Sequence, residues 1–315
     1  MQPAPEVEGG SDVEYHTLSA EGILASRLVV DNKTLPAPSF RMALFTNVVA
    51  FGALLVYALC VNLTNPSTSR VFILERNPAL SFPYVTSQVP VSMLVILCIG
   101  VPSAAILSAV PFLRYNQTKT QAGSAFYACL ILFLTLGQCL LMSDAITNSI
   151  KVLVLRPRPN FFARCDYKGF QTAMSSANFT SYNTQTQANV QGSTSYCLAA
   201  HSTVVDSVLS FPSGHSSLSW AAMTFISLLV KYTIEQYSPF KFLSLHGILF
   251  AAPLYLSAWI AITRIQDFYH HTDDVMMGSF IGAATTIFVF RNGRDLLDEF
   301  RCLRRGEPKG QSRAA

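Results

Sequence analysis

Charged residues are scarce in this chain. Asp, Glu, Lys and Arg make up only 13 % of its 315 residues, while half are hydrophobic; ordinary soluble domains carry about 25 % charge. Mean hydropathy is positive. That balance excludes a disordered chain, which is polar and charge-rich, and leaves too little polar chain for a soluble enzyme. The net charge is only +4, and no dense basic stripe precedes the last 25 residues, which excludes a nucleic-acid binder. The first 40 residues carry Glu6, Glu8, Asp12, Glu14 and Glu21 but neither a basic n-region nor an apolar h-region, so no cleavable signal peptide is expected.

The apolar residues are gathered into six stretches free of Asp, Glu, Lys and Arg: 42–69, 77–113, 120–143, 207–230, 242–263 and 275–290. A helix needs roughly 20 apolar residues to cross a bilayer core. Five stretches meet that length, and the sixth, with 16, must borrow a turn at each end. The reading is an all-α membrane protein with six transmembrane helices at 42–62, 89–111, 122–145, 215–232, 243–262 and 273–291. Buried helices of a soluble all-α protein are the alternative, but these would be apolar on every face with little polar chain to wrap them. The domain reading is a disordered tail at 1–40, a six-helix domain at 41–291 with an outer loop at 160–210, and a basic tail at 292–315.

An even number of helices puts both termini on one side. That side collects fourteen of the Lys and Arg residues and the other side eight, so the termini are expected in the cytosol. The 63–88, 152–210 and 263–272 loops then lie outside it, in a plasma membrane or an endomembrane. Asn178-Phe179-Thr180 is the outer-side glycosylation sequon with room around it. Cys165 and Cys197 are the two cysteines of the long outer loop, and an oxidising compartment favours a disulfide between them.

Three groups of polar residues sit at the outer helix ends. Lys151 and Arg158-Pro159 close the third hydrophobic segment; alone, they read equally as basic residues snorkelling at a membrane surface. Phe211-Pro212-Ser213-Gly214-His215 opens the fourth helix, where exposed backbone N–H groups and the helix dipole favour an anion; alone, Ser213 reads as a simple N-cap. Thr263-Arg264 and His270-His271-Thr272-Asp273-Asp274 join the fifth and sixth helices. On a helix, His270 and Asp274 share a face and can hydrogen-bond, leaving the other imidazole nitrogen as a nucleophile. Together the groups supply three cations, two histidines and a carboxylate, enough to neutralise a phosphoryl group and its developing charge. Outer-side carboxylates are few and lack ligand spacing, so no metal is expected.

K-x6-R-P, P-S-G-H and R-x5-H-x3-D, in that order, resemble the type 2 phosphatidic acid phosphatase family. The likeness is to its integral-membrane lipid phosphate phosphatases and diacylglycerol pyrophosphate phosphatases. The resemblance spans about 42–291 and implies a six-helix bundle of the phosphatidic acid phosphatase and haloperoxidase-like kind. It implies metal-independent removal of phosphate from phosphatidate, lysophosphatidate, diacylglycerol pyrophosphate or sphingoid phosphates presented in the bilayer. Lys151, Arg158 and Arg264 resemble the phosphate-binding cations, and Ser213 and Gly214 the cradle. His215 resembles the general acid, His270 the nucleophile and Asp274 its partner. Thr263 stands where the family pattern has Ser. His271, Asp273 and Arg156 are off register, Asp267 is expected in a loop salt bridge, and His201 on the surface. Asp144, Asn148 and Lys151 share one helix face, and Asp144 is expected to support the cationic end. A membrane phosphatase for a sugar phosphate or polyprenyl diphosphate, a non-catalytic scaffold and a transporter remain as alternatives. Oligomeric state is not legible.

Overall fold

The structure, a computed structural model, describes residues 40–75, 77–114, 122–168, 191–237 and 243–305. Asn178, the tail at 1–39 and residues 306–315 lie outside these. Six long helices carry the fold: α1 (Phe40–Asn62), α2 (Val91–Arg114), α3 (Ala122–Val154), α6 (Gly214–Tyr237), α7 (Leu243–Gln266) and α8 (Thr272–Arg305), with short α4 (Phe161–Cys165) and α5 (His201–Ser207) between α3 and α6. Among the described residues, six helices are long and apolar enough to cross a membrane. Their outer faces expose Phe45, Val56, Ile96, Leu107, Tyr255, Phe280 and Phe288, more apolar surface than a soluble monomer presents.

The third and sixth helices outrun their expected ends at 145 and 291. Asp144 ends the charge-free stretch but not the helix, because its carboxylate accepts from Asn148 in the next turn at 2.9 Å and from Asn62 of α1 at 2.9 Å. A carboxylate satisfied inside the bundle does not stop a membrane helix. Asp144 therefore ties α3 to α1; it forms no hydrogen bond with Lys151, and the support it lends that cation is its charge acting from a distance. In α8 the sequence beyond Arg291 is polar on one face only. Leu296 and Leu297 are buried with Val289, Phe290, Phe225 and Tyr232, and that apolar stripe carries the helix on to Arg305.

Helix α6 is central, packed on α2, α3, α7 and α8. Its buried face is built from small residues: Ser216, Ser217, Ser219, Ala221 and Ala222 are all fully buried. Small residues let membrane helices approach closely, since no hydrophobic force draws them together in lipid. Helix α8 answers with Gly278 and Gly282, where an added Cβ would stand 2.4 Å from the Ser213 carbonyl oxygen and 2.1 Å from that of Ser217. Both distances are far inside van der Waals contact, so the glycines set the α6–α8 spacing.

The cap over the α3–α6 end of the bundle is not the 160–210 loop alone. Val71, Ile73 and Leu80 from the α1–α2 connection pack with Phe161, Phe162, Cys165, Tyr167, Val204 and Val208 in one apolar cluster. Strands β1 (Ile73–Leu74) and β2 (Gln191–Gly192) pair antiparallel across the two segments, Ile73 opposite Gly192. Cys165 and Cys197 are joined in a disulfide. The loop thus borrows its core from the preceding connection. Asn62, the last residue of α1, has its side chain engaged with Ala58 and Asp144.

Gly278→Ala forces its methyl against the Ser213 carbonyl. Overpacking of this kind costs about 1–3 kcal/mol. The expected outcome is a lower thermal midpoint in detergent than for the wild type; an unchanged midpoint counts against the tight α6–α8 contact.

Candidate active site

The site sits at the end of the bundle opposite the two described termini, where α3, α7 and the starts of α6 and α8 meet. The structure brings together Lys151, Arg158, Ser213, Gly214, His215, Arg264, His270 and Asp274. Several of them are held by chain that the sequence motifs do not include.

Lys151 is buried at the end of α3 and donates to the Leu209 carbonyl oxygen at 2.7 Å. Among the described residues, no carboxylate lies within salt-bridge distance of it. A buried cation without a paired anion is costly and favours an anionic ligand. The start of α6 adds to that preference, since first-turn N–H groups and the helix dipole point the same way. Gly214, the first residue of α6, lies against Lys151: a Cβ there would stand 3.9 Å from Lys151 Cε. Ser213 caps the helix, its Oγ accepting from Ser216 N at 3.4 Å and Ser216 Oγ at 3.1 Å. Its own amide donates to the Asp274 carbonyl oxygen at 3.0 Å.

The guanidinium groups are each fixed by an acceptor. Arg158 bonds Asp206 through Nη2 to Oδ1 at 2.9 Å and through Nε to the carbonyl oxygen at 2.8 Å. Arg164 binds the other oxygen of the same carboxylate. Burial pushes the Asp206 carboxyl up, but Arg158, Arg164 and Lys151 outweigh it and hold Asp206 below its ordinary value. Arg264 is 1 % exposed and pairs with Asp267 at 2.9 Å, the loop salt bridge expected of Asp267. The Thr263 hydroxyl accepts from Arg264 Nε at 3.1 Å and Nη2 at 2.9 Å while donating to the Ile260 carbonyl. The hydroxyl at this position is thus used to aim Arg264.

Tyr269 lies under three of these cations, with the guanidinium carbons of Arg158, Arg164 and Arg264 at 5.6, 5.2 and 5.8 Å from its ring centroid. Aromatic faces attract cations, so the ring holds like charges together that otherwise repel. Burial raises the Tyr269 phenol, which keeps it neutral.

His270 is 4 % exposed and precedes α8 rather than lying on it. Its expected direct bond to Asp274 is not formed. Nδ1 is 3.7 Å from Asp274 Oδ2, beyond hydrogen-bond length, and donates instead to the Ser210 carbonyl oxygen at 2.8 Å. The reason is local: Asp274 stands at the third position of α8 and reaches back to the His271 amide at 2.9 Å, half of a capping box. Ser210 fills the gap, its hydroxyl donating to Asp274 Oδ2 at 2.5 Å. Since a carbonyl only accepts, Nδ1 carries the proton. Nε2 keeps its lone pair and faces Arg158 Nη1 at 3.4 Å. Burial, reinforced by Arg158 and Lys151, holds the imidazole well below its ordinary value of 6.5 despite Asp274. It is neutral at pH 7.

His215 Nε2 donates to the Val89 carbonyl oxygen at 3.0 Å. Val89 ends a three-residue strap from the α1–α2 connection. Ser87 Oγ accepts from Arg264 Nη1 at 2.8 Å, and Gln88 N donates to Asp267 at 2.9 Å. Sequence reasoning missed this strap, Ser210, Asp206 and Tyr269; Ser and Gln in a polar loop carry no signal of their own. Of the off-register neighbours, His271 turns to the Pro157 carbonyl, Arg156 pairs with both Asp273 and Asp274, and His201 is exposed. Among the described residues, no cluster of three or more His, Cys, Asp or Glu could hold a metal ion.

Comparison with known proteins places this arrangement. Residues 126–297 match the PAP2 superfamily. The chain belongs to that family. It is 30 % identical over 227 residues to probable diacylglycerol pyrophosphate phosphatase 1 of Schizosaccharomyces pombe, covering 71 % of each chain. It is 28 % identical over 213 residues to diacylglycerol pyrophosphate phosphatase 1 of Saccharomyces cerevisiae, covering 67 % of each. Against probable lipid phosphate phosphatase 4 of Arabidopsis thaliana the identity is 28 % over 211 residues, 67 % of this chain and 60 % of that one. The chain thus spans about 60 % of the length of that plant relative. The matched family region runs from α3 to α8, so the site lies within it, and the PAP2 membership with six apolar helices makes this a multi-pass membrane protein.

Ser210→Ala leaves the buried Asp274 oxygen short of a donor. A buried acceptor left unsatisfied costs about 1–3 kcal/mol. The expected outcome is a lower thermal midpoint than for Ser207→Ala, whose hydroxyl bonds only the Val204 carbonyl one turn back; equal midpoints count against the Ser210 bridge.

Proposed function

We propose that this protein is a metal-independent membrane phosphatase for lipid phosphates, working through a phosphohistidine. The observation that carries the reading is the state of His270. Its Nδ1–H is bound to the Ser210 carbonyl, and its Nε2 lone pair faces Arg158 beside the unpaired Lys151. A neutral, oriented imidazole next to buried cations is suited to attack a phosphoryl group held by those cations.

In the first step Nε2 of His270 attacks phosphorus. The bond from phosphorus to the lipid oxygen breaks, and His215, entering the step as the imidazolium with a proton on both nitrogens, gives that oxygen its Nδ1 proton and becomes neutral. Lys151, Arg158 and Arg264, with the Ser213 hydroxyl and Gly214 amide, take up the charge on the non-bridging oxygens. In the second step water attacks the phosphohistidine, His215 accepts the water proton, and phosphate leaves with His270 restored. His215, bound at Nε2 to Val89, has Nδ1 as the nitrogen that exchanges this proton.

The substrate class follows from the relatives' names and from the membrane. Phosphatidate, lysophosphatidate, diacylglycerol pyrophosphate and sphingoid phosphates all present a phosphate at the bilayer surface while the tails stay in lipid. The site is read as extracytoplasmic, with both termini cytosolic. The Lys and Arg asymmetry and the Cys165–Cys197 disulfide on the site's side support that orientation.

Two measurements test the reading. Purified protein in detergent micelles with excess EDTA is expected to release phosphate from phosphatidate, and His270→Ala to lower turnover by about a thousandfold or more. No release by the wild type, or release that EDTA abolishes, sinks the proposal. The second is the acid limb of kcat/KM, which reports the free enzyme. Activity requires neutral His270 and is lost as pH falls through its folded-state pKa. Burial sets that pKa well below 6.5, so the acid limb is expected below pH 6.5; a midpoint at or above it contradicts the assignment.

A further inference from the structure

Arg156 lies outside the three motifs and outside the phosphate-binding set. Its side chain turns inward. Nη1 donates to Asp274 Oδ1 at 2.7 Å and also pairs with Asp273. The Arg156 carbonyl oxygen accepts from Ser210 N at 3.0 Å. One residue therefore touches both members of the pair that holds His270: Asp274 through its side chain and Ser210 through its main chain. Asp274 is fully buried, and its Oδ2 is already taken by Ser210 Oγ and His271 N. Arg156 supplies the donor for Oδ1. Resting on the phosphohistidine reading, we propose that Arg156 is a positioning residue, fixing Asp274 and Ser210 as one frame that points His270 Nε2 at the phosphoryl group.

The guanidinium acts through one nitrogen, as a point charge between two carboxylates, and not as a fork. A lysine ammonium can take that place, although Lys and Arg are not interchangeable at bidentate sites. Asp273 is 61 % exposed at the side chain, so its half of the bridge is a surface pair of small value. The part that matters is the bond to Asp274.

Loss of the Arg156 charge leaves the Asp274 carboxylate less neutralised and strengthens its pull on a proton at His270. The other groups around His270 are Lys151 on α3, Arg158 on the α3–α4 linker, Asp206 on α5, Arg264 on α7, and Tyr269 and His271 beside it. All of them are unaltered by substitution at Arg156. A residue that merely stabilises the fold lowers activity at every pH and moves no limb.

The test compares wild type, Arg156→Gln, Arg156→Lys and Asp273→Asn, with phosphatidate in micelles across pH. Arg156→Gln is expected to lower kcat by roughly tenfold to a hundredfold, the scale of a small misplacement of a reacting group. KM stays within about threefold, and the acid limb of kcat/KM moves to higher pH. Arg156→Lys is expected to recover kcat to within about fivefold of wild type, and Asp273→Asn to stay within about twofold. A rise in KM with kcat unmoved, or an acid limb that does not shift, overturns the proposal. If Arg156→Gln does not fold, Arg156→Met, which fills the space without charge, is read against the same outcomes. Titration of the His270 imidazole by NMR in wild type and Arg156→Gln needs no substrate. A midpoint raised in the variant supports the frame, and an equal midpoint overturns it. Wild type inactive on phosphatidate overturns the lipid phosphatase reading alone, because the NMR comparison still decides this one.

Discussion

The burial of one carboxylate organises the site. Asp274 is wholly inaccessible, and taking a carboxylate out of water costs several kcal/mol unless donors replace the water. Here they come from separate parts of the chain: Arg156 after α3, Ser210 before α6 and His271 before α8. The Asp274 carbonyl then takes the Ser213 amide at the cap of α6. Meeting the needs of this one residue joins the ends of three helices and leaves His270 with a single hydrogen-bonded tautomer.

The cations around it obey the same rule with a different outcome. Arg158 and Arg164 share Asp206, Arg264 has Asp267, and Tyr269 lies beneath all three guanidinium groups. Among the described residues, Lys151 has a carbonyl alone for a hydrogen-bond partner. Fixed guanidinium groups lose little freedom when an anion arrives, so the ordering cost of binding is met in folding. The charge on Lys151 is the part still uncompensated, and it stands beside the amide end of α6. That asymmetry supports the proposal of a phosphoryl ligand over that of a salt-bridge network serving stability alone.

The bundle below is arranged to permit this. Serines and alanines of α6 against Gly278 and Gly282 of α8 bring the two helix starts within backbone contact, so that Ser213 and Asp274 can bond through their main chains. Larger residues there would separate the cradle from the frame of His270. On the opposite flank the Ser87–Val89 strap reaches Arg264, Asp267 and His215 from consecutive positions, linking the proposed acid to a proposed phosphate-binding cation.

Much was legible from residue order. Length and apolarity alone determined six membrane helices, because a bilayer core demands about 20 apolar residues per crossing. Motif spacing and helix order placed Lys151, Arg158, His215, Arg264, His270 and Asp274 at one end, because helices that alternate in direction return to the same side. Helix ends were less legible: a count of charges stops at Asp144 and Arg291, whereas the chain follows satisfaction of Asp144 by Asn62 and burial of Leu296 and Leu297. The spacing of His270 and Asp274 did bring them together, at 3.7 Å, but because α8 starts at Thr272 the hydrogen bonds between them run through Ser210. What only the tertiary structure decided is which neighbours complete each polar group. Ser210, Arg156, Asp206, Tyr269 and the Ser87–Val89 strap are ordinary loop residues in sequence. They gain a role because buried donors and acceptors must find partners, and those partners are chosen by proximity in space, which linear spacing does not encode.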